Sequence, residues 1–216
     1  MLAHRVLLEY EEGRDELGDI FLQRLLQVPI HDTRGLGTGY IVRSFVVPLV
    51  GPATGRTQGL ETVRVLGEST VSSTAVPPLL TTMARAGLAL LAVIESDVMA
   101  AREQYDALQP HRGKLVPNCA GCTVDRLLGL LSQTMGNLDQ AAAHFEDALA
   151  FCRKAGYRPE LAWSCCDYSD ILRERDAEGD RAKAMSLLDE SLAISGELGM
   201  RPLKERVLAR REMVGA

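Results

Sequence analysis

Ala101, Ala141 and Ala184 stand 40 and 43 residues apart, and each anchors a similar rhythm of small and large apolar positions. The rhythm is clearest as Leu128-Gly129, Gly136, Ala141, Phe145 and Ala148. It returns as Gly179, Ala184, Leu188 and Ser191, and more faintly as Ala101, Tyr105 and Leu108. A period of about 20–50 residues is the mark of stacked supersecondary units, each too small to bury its own apolar face alone.

Each unit reads as two helices. From Val124 to Met135, Leu127, Leu128, Leu130 and Leu131 supply an apolar face, and Gly136-Asn137 breaks the helix because both residues tolerate left-handed backbone. A second helix over Asp139 to Lys154 repeats Ala141, Phe145, Ala148, Leu149 and Cys152 at three- and four-residue steps, which makes one buried face. The small residues Gly129, Ala141 and Ala148 allow close helix approach, with Phe145 filling the space between. Glu160 to Arg175 and Arg181 to Leu198 form the next pair. Pro202 to Met213 reads as a last helix, with its proline at a permitted first-turn position and Lys204, Arg210, Arg211 and Glu212 turned outward as a solubilising cap.

The first 75 residues carry a weaker pattern. Arg5 to Val28 suits one long helix or two. Tyr40 to Val50 is apolar enough for a helix or a β-rich stretch, with Pro48 against the helix, and Gly59 to Glu68 reads as helical. The organisation expected is residues 1–75 as a degenerate N-terminal helical repeat, 76–200 as three helix pairs and 201–216 as a capping helix. Low aromatic content, 5% against 46% hydrophobic residues, favours aliphatic helix packing over a β-sandwich.

Charge and composition exclude several classes. Twenty-four basic residues against 29 acidic ones, a net charge of −5, argue against a nucleic-acid binder, which needs a basic face. No run reaches the roughly 18 consecutive apolar residues of a membrane span. The start, Met1 to Arg5 followed by Glu9, Glu11 and Glu12, lacks the apolar core of a signal peptide, and five cysteines do not make a secreted disulfide framework. The reading is cytoplasmic, with no membrane and no nucleic acid.

Over Asp125 to Cys152 the Leu-Gly, Gly, Ala, Phe and Ala positions resemble the tetratricopeptide repeat. The longer spacing and the phrase Leu187 to Ile194 before Glu197-Leu198-Gly199-Met200 resemble the C-terminal tetratricopeptide regions of bacterial adenylate/guanylate cyclases and of LuxR/MalT-like NTPase regulators. The likeness covers about Thr81 to Glu212. Asp125 replaces an early aromatic and Ser132 a consensus tyrosine. The resemblance implies an all-α fold of stacked antiparallel helix pairs, a right-handed superhelix (an α-solenoid), whose concave groove takes a protein or peptide partner. It implies a non-enzymatic interaction or regulatory module in bacterial signal transduction. Its alternative is a ligand- or peptide-sensing domain controlling a regulator or a cyclase. The first repeat then either covers the end of the array or joins two copies as a homodimer.

On that alignment the groove positions are Thr123, Arg126, Leu130, Gln133 and Thr134, then Trp163, Cys166, Asp170 and Arg173. Arg126 and Arg173 suit a carboxylate, since guanidinium groups bind it through paired hydrogen bonds, and Trp163 suits an apolar anchor. If they serve a partner, replacing both arginines should weaken binding and leave the melting temperature nearly unchanged. A wide polar groove fits a protein partner, and a closed apolar and aromatic pocket fits a small ligand. Leu88, Leu91 and Ala92 are the sequence hint toward a pocket.

Other chemistry is not expected. Gly51 to Thr57 lacks the lysine of a phosphate loop, and Gly35 to Gly39 has no βαβ context. Cys119-Ala-Gly-Cys122 has zinc or redox spacing without further ligands, so free thiols are expected, with Cys152 and Cys165 as small core residues. The four histidines are scattered, and His144 reads as a surface or interface residue. The pairs Glu11-Glu12, Asp167/Asp170 and Glu174/Asp176 read as ordinary exposed helix faces. No catalytic residue, metal or cofactor is expected.

Overall fold

A computed structural model describes residues 2–27, 45–50, 59–116 and 121–215 of the 216-residue chain. The loop at Leu36 to Gly39, the turn at Gly51 to Gly55 and Cys119 lie outside the described residues. Those described form helices α1 (Leu2–Glu11), α2 (Asp15–Gln27), α3 (Leu60–Ser72), α4 (Pro78–Glu95), α5 (Val98–Leu108), α6 (Val124–Thr134), α7 (Leu138–Ala155), α8 (Arg158–Arg175), α9 (Asp180–Glu197) and α10 (Arg201–Gly215). A 3₁₀ turn, Gln109–His111, follows α5, and residues 45–50 are helical through Pro48. There is no β-strand among the described residues, only an isolated bridge between Leu115 and Thr123.

The all-helical expectation is met, and local sequence explains where the helices stop. The Arg5–Val28 stretch divides into two helices at Gly13, whose φ is +70°. The Asp97 carboxylate accepts hydrogen bonds from the Met99 and Ala100 amides at 3.0 Å and starts α5. Thr123 Oγ1 accepts from the Arg126 amide at 3.2 Å and starts α6. Gly136, with φ +77°, ends the turn after α6.

Successive helices pack against one another through turns of two to five residues, so neighbours run antiparallel: α3 on α4, α4 on α5, α6 on α7, α8 on α9 and α9 on α10. A second set of contacts joins alternate helices, α4 to α6, α6 to α8 and α8 to α10. The N-terminal hairpin α1–α2 does not extend this row. Its α1 packs on α10, so the first helix of the chain meets the last.

Three apolar clusters fill the space. One joins α7, α8, α9 and α10 through Phe145, Leu149, Cys165, Ile171, Leu188 and Leu203. A second joins α4, α5 and α6 around Met83, Tyr105, Leu127 and Leu131, and a third joins α1 and α2 to residues 46–50. α4 is apolar and long enough to cross a membrane by composition, yet Met83, Ala84, Ala86, Ala89 and Leu91 are buried against protein.

Phe145 is wholly buried and stacks on Tyr168 with ring centroids 5.5 Å apart and planes 5° from parallel. A Cβ on Gly129 would come within 2.7 Å of the Phe145 ring, so only glycine permits this approach of α6 to α7. Replacing Phe145 by Ala is expected to cost about 3–5 kcal/mol by removing that fill. Urea unfolding should show it as a lower midpoint at unchanged slope.

Candidate functional site

Because α1 packs on α10, it covers the part of the expected groove around Arg126, Leu130 and Trp163. Between them is a recessed pocket of about 110 Å³. Leu7, Tyr10 and Glu11 reach it from α1, and Leu49 and Val50 from the 45–50 segment. Leu90 and Val93 come from α4, Leu130 and Arg126 from α6, Trp163 and Asp167 from α8, and Pro202 and Arg206 from α10. Its wall is more apolar than polar.

The polar side is a buried ion network. The Arg126 guanidinium donates from Nε to Asp167 Oδ2 at 2.8 Å and from Nη1 to Glu160 Oε2 at 3.0 Å. Glu160 Oε1 accepts from the backbone N–H and hydroxyl of Thr123, at 2.7 and 3.0 Å, so the start of α6 is tied to α8. Arg206 Nη2 donates to the second Asp167 oxygen at 3.0 Å, and Arg210 Nε donates to both Asp170 oxygens at 2.9 and 2.8 Å. Both guanidinium groups lie over the Trp163 ring, 5.5 Å (Arg126) and 5.6 Å (Arg206) from its centroid.

Three cations, Arg126, Arg206 and Arg210, thus face three anions, Glu160, Asp167 and Asp170. Two features are left over. The Arg206 Nε–H is buried with no acceptor. Glu11 is a fourth acid, and burial, then the nearby Glu160 charge, raises its carboxyl above the ordinary range while its side chain accepts a hydrogen bond from Trp163.

The structure divides the expected site residues. Arg126, Leu130 and Trp163 come together at the pocket. Asp170 sits just beyond it, held by Arg210 rather than by Arg173 one turn away. Gln133 and Thr134 lie outside. The Gln133 amide donates to Glu174 at 2.8 Å, and the Thr134 hydroxyl donates to the Leu130 carbonyl at 3.1 Å. Arg173 is exposed, in a small hollow with Met213 and Val214, and does not join Arg126. Thr123 and Cys166 are buried.

Several readings change for one reason, that pairing between helices is invisible to local pattern. Arg126 is only 7% exposed, and its carboxylate partners are its own chain's. Asp167 is buried rather than on a solvated face, and Arg210 turns inward instead of capping the surface. His144 is buried, with Nε2 2.8 Å from the Tyr105 hydroxyl, and burial lowers its pKa. Glu11, Glu160 and Arg206 went unread as site residues. Asp167 at one turn from Asp170, with Arg206 one turn from Arg210, was the available signal. Cys122, Cys152, Cys165 and Cys166 are buried free thiols; Cys152 and Cys165 are the small core residues expected, whereas Cys166 is in the core rather than on a groove, and burial raises Cys152 and Cys166 to about 12.

No family model, no curated protein and no solved structure matches the chain.

Replacing Arg126 by Ala leaves Asp167 and Glu160 buried without their shared cation, and is expected to cost about 3–5 kcal/mol. That would appear in denaturant unfolding, opposite to the unchanged stability expected of a partner-facing arginine. The two acids titrate in opposite directions. Arg126 and Arg206 overcome burial and hold Asp167 below its ordinary value, whereas burial raises Glu160. Asp167 therefore stabilises the fold fully above about pH 4 and loses that contribution as pH falls through its depressed folded value. Asp167→Asn should be less stable than the parent at neutral pH, and the gap should narrow below about pH 4 when unfolding is measured stepwise down to pH 2.5.

Proposed function

We propose that this protein is a non-enzymatic regulatory module of the tetratricopeptide type, a right-handed stack of helix pairs, that senses a small amphipathic molecule in the pocket beneath α1. One observation carries the reading. The part of the expected partner face around Arg126, Leu130 and Trp163 is covered by the chain's own first helix, which leaves a recessed, mainly apolar pocket with Trp163 and an ion network on one side. A protein or peptide lying along the groove would have to displace α1 from α10. A small ligand needs only the space already there. A cavity of about 150 Å³ takes a benzene ring, so about 110 Å³ corresponds to roughly four waters or an organic group of about four to six non-hydrogen atoms.

The polar wall narrows the ligand class. Paired cations and anions offer nothing to a charged group, and what is left over is a donor at Arg206 Nε and an acid at Glu11. An uncharged amide on an apolar tail answers both, its carbonyl accepting from Arg206 and its N–H donating to Glu11. Ligand occupancy would fix α1 against the array, and that change at the surface is what a linked or associated signalling domain would read.

Trp163 is the chain's single tryptophan and lines the pocket, so its emission reports occupancy directly. Titration with butanamide is expected to give a saturable change, stronger than with butanoate or butylamine. Leu130→Phe, which narrows the pocket, should abolish it while leaving the melting temperature near the parent's. If none of the three probes changes the emission, the space is a packing void and the sensing role fails.

A further inference from the structure

We propose that Asp125, His144 and Asp147 form a binding site for a divalent transition-metal ion, of the zinc, manganese or iron(II) class, and that Arg112 is the internal cation that the metal displaces. The site is separate from the pocket, at the start of α6 and the middle of α7. One donor atom from each residue lies within 4.8 Å of the others. His144 and Asp147 are one helical turn apart, so they share a face of α7, and the packing of α6 on α7 brings Asp125 to it.

Unpartnered donors point to a ligand here. Asp125 Oδ1 and His144 Nδ1 are both buried without a hydrogen bond, in residues that are only 1% and 3% exposed. A buried polar atom left unpaired is costly, and few persist without a role. The remaining atom of each residue is already fixed as an outer shell would fix it. Asp125 Oδ2 accepts from the Gly113 amide at 2.7 Å. The Tyr105 hydroxyl meets His144 Nε2 at 2.8 Å and accepts from the Gln140 amide at 2.9 Å. With Nε2–H donating to the Tyr105 oxygen, Nδ1 presents its lone pair, the arrangement metal-binding histidines usually have.

Arg112 shows that the place suits a cation. Its Nη2 contacts Asp147 Oδ2 at 2.5 Å and its Nε lies 3.7 Å from Asp125 Oδ1, so it bridges the two carboxylates. The Arg112 side chain is 49% exposed and that of Asp147 52%, so both can swing without disturbing the core. Metal bonds of about 2.0–2.2 Å need donor atoms roughly 3–3.5 Å apart, so donors that lie within 4.8 Å of one another draw together on binding, with the exposed Asp147 swinging in. Two carboxylates balance the ion's charge, and one imidazole with two oxygens favours a borderline metal over calcium or magnesium.

Calorimetric titration of the whole protein with ZnCl₂ tests this, using Asp147→Asn and Arg112→Gln, both exposed changes that spare the core. One equivalent of Zn²⁺ is expected to bind, at least tenfold more weakly in Asp147→Asn and at least as tightly in Arg112→Gln. A parallel titration with CoCl₂ should show no sulfur-to-metal charge-transfer band, which excludes the cysteines. Absence of binding, binding indifferent to Asp147→Asn, weaker binding in Arg112→Gln or a thiolate band would each overturn the assignment.

Discussion

Arg126 is the residue on which the arrangement of the second half turns. A guanidinium buried to this depth is tolerable only when anions and hydrogen-bond acceptors surround it, because desolvation otherwise outweighs any attraction. Glu160 and Asp167 meet that demand from α8, and Asp167 in turn holds Arg206 of α10. Glu160 also accepts from the Thr123 N–H at the start of α6, so one network fixes three alternate helices in register. Apolar side chains tolerate small slips between helices, but a buried ion pair does not. The network therefore sets the geometry of the wall that α1 then covers.

The covering by α1 gives that wall its character. Left open, the same residues would be a charged strip beside a tryptophan, available to a polypeptide. With Leu7, Tyr10 and Glu11 laid across it, the strip becomes one side of a small pocket whose other sides are aliphatic. The ion network keeps that side rigid because its bonds are mutual, and two of its guanidinium groups lie over the Trp163 ring. Two groups on that side are left over from the network, the Arg206 Nε–H and the Glu11 carboxyl.

Around Asp125 and His144 the same logic applies on a smaller scale. Tyr105, Gln140, Gly113 and Arg112 surround Asp125 and His144, and one atom of each residue is hydrogen-bonded while the other has no hydrogen bond. The connection after α5 carries Arg112 and Gly113, so an ion there would bind that connection to α6 and α7. Both places have buried polar atoms on alternate or adjacent helices, held in position by packing and incompletely paired.

The repeat of small and large apolar residues was enough to specify helices, their breaks and their pairing, since these depend on neighbours three or four residues away. Gly136 ends its turn, Phe145 fills the gap opposite Gly129, and Cys152 and Cys165 go to the core, all from spacing alone. Arg126, Leu130 and Trp163 were readable as a shared face for the same reason. Which charges that face would keep for itself was not readable. Arg126 meets Asp167 across 41 positions and Arg210 meets Asp170 across 40, and such partners are chosen only when helices stack. Nor could local pattern show that α1 would return to α10 and cover the groove, because an amphipathic helix records that it must bury a face and not against what. Local periodicity determined the elements. Long-range burial of charge, and the path of the first helix, decided the site.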